Sequence, residues 1–296
     1  MDGAKLLIDR PTTPARAAAH RARVGEGRVE IEHGASGQSR PVRITGRAPL
    51  KLLAPDAGGS AATVYASTLG GGLVGGDQID IDVTVADGAV AFLGTQSATK
   101  VYRASADGHG CAQRLAARVG AGAALVAWPD PLMCFADAVY EQEQRFEFAA
   151  DGSLVLVDWQ VAGRVARGER WAMRRYRSRN RLLIGGRAVL DDVTLLDQDD
   201  GPIGSASRAG RFDCMGSVVL AGPAVKPWAG ELDAAIRASA PGRRPPLVVT
   251  SSRVAGGDVI LLRFAATDSR LAVAWLREAL TPTIALLGAD PWARKW

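Results

Sequence analysis

The residues most able to do chemistry in this chain gather in two short stretches. Leu69-Gly70-Gly71-Gly72-Leu73-Val74-Gly75-Gly76-Asp77 joins a run of glycines to a carboxylate. Further on, Thr95-Gln96-Ser97-Ala98-Thr99-Lys100-Val101-Tyr102-Arg103 combines hydroxyls, an amide and two cations. Taken literally, Gly70, Gly72 and Gly75 satisfy the G-x-G-x-x-G fingerprint of dinucleotide binding. That chemistry needs a helix directly afterwards, because the helix N-terminus holds the pyrophosphate. Here Ile79, Ile81, Val83 and Val85 alternate with Asp80, Asp82 and Thr84, which is the period of a half-buried strand. A P-loop is excluded as well, since no Gly-Lys-Ser/Thr closes the loop. A glycine-rich bend between strands, allowing close backbone approach, is the reading left by local context.

Soft metal ligands are scarce. There are three His (His20, His33, His109) and three Cys (Cys111, Cys134, Cys214), with no two cysteines at zinc-finger spacing. The composition therefore excludes a closed zinc site or a metal store. The histidines are expected in ordinary surface or core positions, and the cysteines as small buried hydrophobes. An odd cysteine count, no apolar run of membrane-spanning length and no signal-type N-terminus give a cytoplasmic location as the expectation.

Lys plus Arg number 36 against 31 Asp plus Glu, a formal charge of +5, which suits an acidic protein partner. Arg175, Arg177, Arg179 and Arg181 fall at every second residue and share one face of a strand. Docking to an acidic partner, nucleic-acid binding and a solvated face screened by nearby acids all fit that ladder. Nucleic-acid binding ordinarily adds stacking aromatics, and only Trp171 and Tyr176 are near.

The elements that must position these residues are mostly strands. Alternating runs over Gln78–Val85, Ala89–Leu93, Cys111–Val119, Ala123–Trp128, Val139–Phe148, Leu154–Val161, Trp171–Ile184 and Ala188–Leu196 are separated by Gly, Asp or Pro. Ser217–Leu220, Leu247–Thr250 and Val259–Phe264 continue the pattern, and so many short strands imply an all-β architecture. Ala86-Asp87-Gly88 reads as the turn of a hairpin joining the first two runs. Two helices are expected, over Gly230–Ser239 and Asp268–Leu287, the second capped by Asp268 and ended or kinked near Pro282. Residues 1–25 read as a loose N-terminal segment with a short helix at Pro14–Arg23, and residues 26–296 as a single domain.

In order, spacing and identity, the glycine stretch and the Thr95–Arg103 stretch together resemble the urease accessory protein UreD (UreH) family. Leu125-Val126-Ala127-Trp128-Pro129 sits where that family has a Trp-Leu-Pro segment, here without the Leu. Asp158 followed by Gly163-Arg164-Val165-Ala166-Arg167-Gly168-Glu169 is similar to the family's Gly-Arg-x-x-x-Gly-Glu element with its upstream Asp. The tail Pro291–Trp296 is loosely similar to the family's ending.

The resemblance implies a β-helix-like stack of strands with two helices. It further implies a non-enzymatic urease maturation chaperone that works with UreF and UreG, and that helps deliver Ni²⁺ into apo-urease through an internal passage. Such a passage needs weak, exchangeable oxygen ligands, because clustered His or Cys would trap an ion so high in the Irving–Williams order. Asp77, Asp158 and Glu169 are carried over as the carboxylates of a transient nickel path. Each has a structural reading beside it: Asp77 as a turn-capping residue, Glu169 as the partner of Arg164 or Arg167. Lys100, Tyr102 and Arg103 are expected in structural pairing or partner docking, since cations beside a nickel route repel it. An alternative is a hydrolase or carbohydrate-active enzyme on a β scaffold, suggested by seven Trp and many Asp. That would require paired carboxylates in a cleft, which no motif marks.

Overall fold

The computed structural model describes residues 23–240 and 242–293. The Pro14–Arg23 helix expectation, His20 and the last three residues of the tail lie outside or at the border of the described residues. In chain order the strands begin with β1 (Arg23–His33), β2 (Ser39–Gly46), β3 (Leu50–Leu53), β4 (Ala62–Thr68), β5 (Asp77–Val85) and β6 (Val90–Thr95). They continue through β7 (Thr99–Val101), β8 (Cys111–Val119), β9 (Ala124–Ala127), β10 (Leu132–Cys134), β11 (Val139–Phe148) and β12 (Ser153–Val161). Last come β13 (Arg175–Ile184), β14 (Arg187–Asp197), β15 (Cys214–Ala221), β16 (Leu247–Val254) and β17 (Val259–Ala266). The helices are α1 (Lys226–Ala238), α2 (Ser269–Ala279) and α3 (Pro282–Leu287).

Two mixed sheets result. One has seven strands in the order β14-β13-β11-β8-β5-β1-β2. The other has ten, ordered β16-β17-β15-β12-β9-β6-β4-β3, with β10 and β7 added beside β12. From β4 to β13 the longer strands alternate between the sheets, and β5, β8, β11 and β13 pair in parallel. So do β4, β6, β9 and β12. Antiparallel strands close the edges.

The expected hairpin at Asp87-Gly88 is therefore not formed. β5 belongs to the seven-stranded sheet and β6 to the ten-stranded one, so the turn crosses between sheets. Its polar groups bond to the adjacent crossover rather than across a hairpin: Gly88 N–H donates to Ala121 O at 2.8 Å, and Asp87 Oδ1 accepts from Ala121 N–H at 2.8 Å. The Asp-Gly pair supplies a tight reversal with Gly88 at φ +67°, and the neighbouring strand decides what the reversal connects.

Between the sheets lies an apolar core containing Ile79, Val83, Leu125, Phe146, Leu154 and Val219. A second core, with Trp128, Trp159, Phe264, Leu276 and Trp292, lies between the outer face of the ten-stranded sheet and the helices. Among the described residues three α-helices are present where two were expected. α2 starts at Asp268, whose carboxylate accepts from Arg270 N–H at 2.7 Å. Pro282 lacks the N–H needed to continue that helix and instead opens α3. β13 starts at Arg175 rather than Trp171, because Trp171 takes φ +51° and anchors a loop through its N–H to Ala162 O. Among the described residues no helix is long and apolar enough to cross a membrane.

Candidate functional site

The glycine stretch leaves β4 and enters β5, and it docks on the residues that follow β6. Leu73 N–H donates to Lys100 O and Tyr102 N–H to Leu73 O, both at 2.8 Å, which makes a parallel bridge between Leu73 and Val101. The approach is too close for any side chain at two glycines. A Cβ on Gly72 would lie 2.6 Å from Tyr102 Cε2, and one on Gly75 would lie 2.3 Å from Ser105 N. Gly70, Gly71 and Gly76 take positive φ, which bends the loop back. Asp77 fastens it: its carboxylate accepts from Val74 N–H and its own N–H donates to Val74 O, both at 2.9 Å. Thr95 and Asp130 tie the start of the second stretch, the Thr95 hydroxyl accepting from Asp130 N–H at 2.8 Å. Gln96 N–H donates to Ala66 O, Thr99 opens β7, and Lys100 and Arg103 are exposed.

The third stretch closes on the same place. Gly163 and Gly168 have φ +100° and +78°, on either side of a short 3-10 turn at Val165–Arg167. Arg164 clasps both oxygens of Glu169, with Nε to Oε2 at 2.9 Å, and Glu169 also accepts from Ala136 N–H at 3.3 Å. Hydrogen bonding from Arg164 holds the Glu169 carboxyl below its ordinary range, against the opposing effect of burial. The guanidinium lies 4.3 Å over Phe135, whose ring meets Tyr102 edge-on at 5.2 Å. Gly72, Tyr102, Phe135, Arg164 and Glu169 thus form one packed chain through all three stretches.

Asp158 stands apart, inside the protein. It accepts from Ser178 Oγ at 2.6 Å, Asn180 Nδ2 at 2.8 Å and Gln142 Nε2 at 3.1 Å. Burial raises its pKa above the ordinary carboxylate range, and the three donors only partly offset that. Around it the sheet registers assemble a polar layer. On the seven-stranded sheet, Gln113, Gln142, Ser178 and Thr194 are successive partners in one row, and Gln144, Asn180 and Asp192 in the next. On the ten-stranded sheet, Asp158, Ser217 and Arg263 form the facing row. A cavity of about 60 Å³, bounded by Thr95, Gln113, Asp130, Gln142 and Asp158 among others, has room for a few waters. A second, of about 80 Å³, shares Thr95, Thr99 and Gln113 with it and reaches Thr68, Gly71 and Ser97 beside the glycine stretch.

Asp77, Asp158 and Glu169 occupy three different settings, and among the described residues no three His, Cys, Asp or Glu side chains are grouped to hold a metal. Gln113, Gln142, Gln144, Ser178, Asn180, Asp192, Ser217 and Arg263 were not singled out from the sequence. The signal for several was there: Gln142 and Gln144 take the inward phase of β11 alongside Tyr140 and Phe146, where an apolar residue is the rule.

The arginine ladder lies on the outer face of β13, as its period predicts. Arg177 pairs with Glu141, Arg179 with Asp191 through two contacts of 2.6 and 2.8 Å, and Arg175 with Asp197 at 3.6 Å. This is the face screened by nearby acids. His33 is exposed, and exposed His109 meets Asp107 at 2.9 Å. β5, not a helix, follows Gly76, so the loop offers no helix N-terminus to a pyrophosphate.

Comparison with known proteins agrees with this architecture of motifs. The family model described as UreD urease accessory protein matches residues 23–296. The chain is 47% identical over 250 residues to the urease accessory protein UreD of Sorangium cellulosum, covering 84% of this chain and 78% of that one. It is 43% identical over 272 residues to the urease accessory protein UreD of Anaeromyxobacter, covering 92% and 90%. It is 34% identical over 304 residues to the urease accessory protein D of rice, Oryza sativa subsp. indica, covering 94% and 98%. The chain therefore belongs to the UreD urease accessory protein family.

Proposed function

We propose that this protein is a non-enzymatic maturation factor for urease, acting in the cytoplasm in a complex with UreF and UreG, and that the polar layer between its sheets passes Ni²⁺ toward apo-urease. The observation that carries the reading is the band of amide, hydroxyl and carboxylate groups around half-buried Asp158, in a layer otherwise filled by apolar side chains. A buried polar band costs stability unless it is satisfied, so its extent across several strands needs a reason beyond packing.

Oxygen ligands of this kind exchange Ni²⁺ readily, whereas the three thiols are buried and held protonated. Gln160, two residues beyond Asp158 on β12, has a buried Oε1 without a hydrogen-bond partner among the described residues, an oxygen left over for water or a cation. Nickel is cargo in this reading: Asp158 and the amide oxygens would hold it briefly in exchange for water. Asp77 and Glu169 would act through the loops they fasten. What supports a β-helix-like winding is the alternation of parallel strands between the two sheets. Exposed Leu69 and Val74 in the glycine stretch offer apolar surface where a partner would seat.

The test is co-expression of the chain with its urease, UreF and UreG. The reading expects co-purification with at least one of them, and loss of urease activity on deletion. Absence of both effects would overturn it.

A further inference from the structure

We propose that Asp192 is a second cation station at the solvent-open edge of the polar layer, and that Arg263 occupies it at rest as a displaceable counter-ion. The proposal rests on the passage reading and adds the far end of it.

The geometry is set by register. Asp192 on β14 stands opposite Asn180, whose amide donates to Asp158, so Asp192 follows Asp158 in the same layer. Asp158 and Asp192 are close enough for the charge of Asp192 to raise the Asp158 pKa further. Arg263 on β17 shares the inward row with Ser217 and Asp158, and its guanidinium pairs with Asp192 Oδ1. β14 is the last strand of its sheet, so the layer runs out to solvent there. The two partners differ sharply in exposure: the Asp192 side chain is 8% accessible and that of Arg263 52%.

That asymmetry suits exchange. An unpaired carboxylate this deeply buried is either costly or a tight cation trap. A guanidinium on a long, half-exposed stem neutralises it at rest and can swing into solvent when a divalent cation arrives from Asp158. The cation then sits on one carboxylate with the neighbouring amide and hydroxyl oxygens, and leaves when Arg263 returns. No bond is made or broken in the protein.

The test uses the full-length chain in its complex with the urease maturation proteins, with Ni²⁺ as the probe in equilibrium dialysis and urease activation as a second readout. Arg263→Ala is expected to bind Ni²⁺ roughly tenfold tighter than wild type, the order of effect of removing one nearby cation from a solvent-open site whose effective dielectric is close to that of bulk water. Arg263→Lys restores wild-type affinity, and adding Asp192→Asn to Arg263→Ala abolishes the gain. Arg263→Gln, which keeps a hydrogen-bond donor, serves if the alanine variant melts early. Unchanged nickel affinity in both Arg263→Ala and Arg263→Gln would overturn the proposal, even where Asp158→Asn abolishes activation and the passage reading stands. If Asp158→Asn leaves activation intact, the passage reading fails, while an Asp192-dependent gain in affinity would still establish the station.

Discussion

The guanidinium of Arg164 lies 4.3 Å above the ring of Phe135 while its nitrogens hold both oxygens of Glu169. Planarity is what allows both contacts at once, and an ammonium cannot reproduce it. Arg164→Lys is therefore expected to lower the melting temperature, modestly because the pair is partly exposed. Glu169→Gln should lower it to a similar extent. Thermal melts of the two variants and of the double variant check this: the double variant should cost little more than either alone.

Gly75 and Gly72 should rank above Gly70 in sensitivity to alanine. The Cβ at Gly75 would meet backbone at 2.3 and 2.7 Å, and the one at Gly72 would meet Tyr102 Cε2 and Lys100 O at 2.6 and 2.7 Å. Backbone cannot move aside cheaply, so about 1–3 kcal/mol is expected at each. Gly70 has open space around it and pays only for φ +93°, about 1 kcal/mol. Equal melting temperatures for all three alanine variants would contradict the docking of the loop on Tyr102 and Ser105.

Asp233 links α1 to β16. Burial pushes its carboxyl up, but hydrogen bonds from Ser251, Arg237 and Arg253 outweigh that and hold it at about 2. A carboxyl depressed in the folded state stabilises above its unfolded value of about 4, and that stability is lost as pH falls toward the folded value. The stability advantage of wild type over Asp233→Asn should be constant from neutral pH down to about 5 and shrink between about 4 and 2. Acid titration of denaturant midpoints for the two proteins checks the window.

Burial is the leading cause that pushes the Cys111 and Cys214 thiols up to about 12, and the Cys134 thiol rises as well. Since the thiolate is the reactive form, alkylation at pH about 8 should leave all three untouched in the native protein and modify all three in denaturant. Native labelling at any of them, read by mass spectrometry, would contradict their burial.

The strands were legible because alternation is local. The runs Cys111–Val119 and Val139–Phe148 became β8 and β11 with the same bounds. Partnership was not legible, because it is set by residues far away in sequence: the Asp87-Gly88 turn looks the same whether its strands pair or part. The same holds for the polar layer. Ser178 and Asn180 sit between the arginines of β13 and read as part of a polar strand, until Gln142 and Asp158 are brought opposite them. The glycine stretch was legible as a motif by spacing and identity. That Gly72 must be glycine follows from Tyr102 and the Lys100 backbone lying against it in the fold.

Asp158→Asn decides whether the layer around Asp158 carries nickel. The substitution keeps the size of the side chain and removes its charge. Urease purified from cells co-expressing this variant with the remaining maturation proteins is assayed for nickel by metal analysis. The urease is expected to be depleted of nickel, with the variant still folded and still bound to its partners. Urease with a full complement of nickel beside a stably folded Asp158→Asn variant would contradict it.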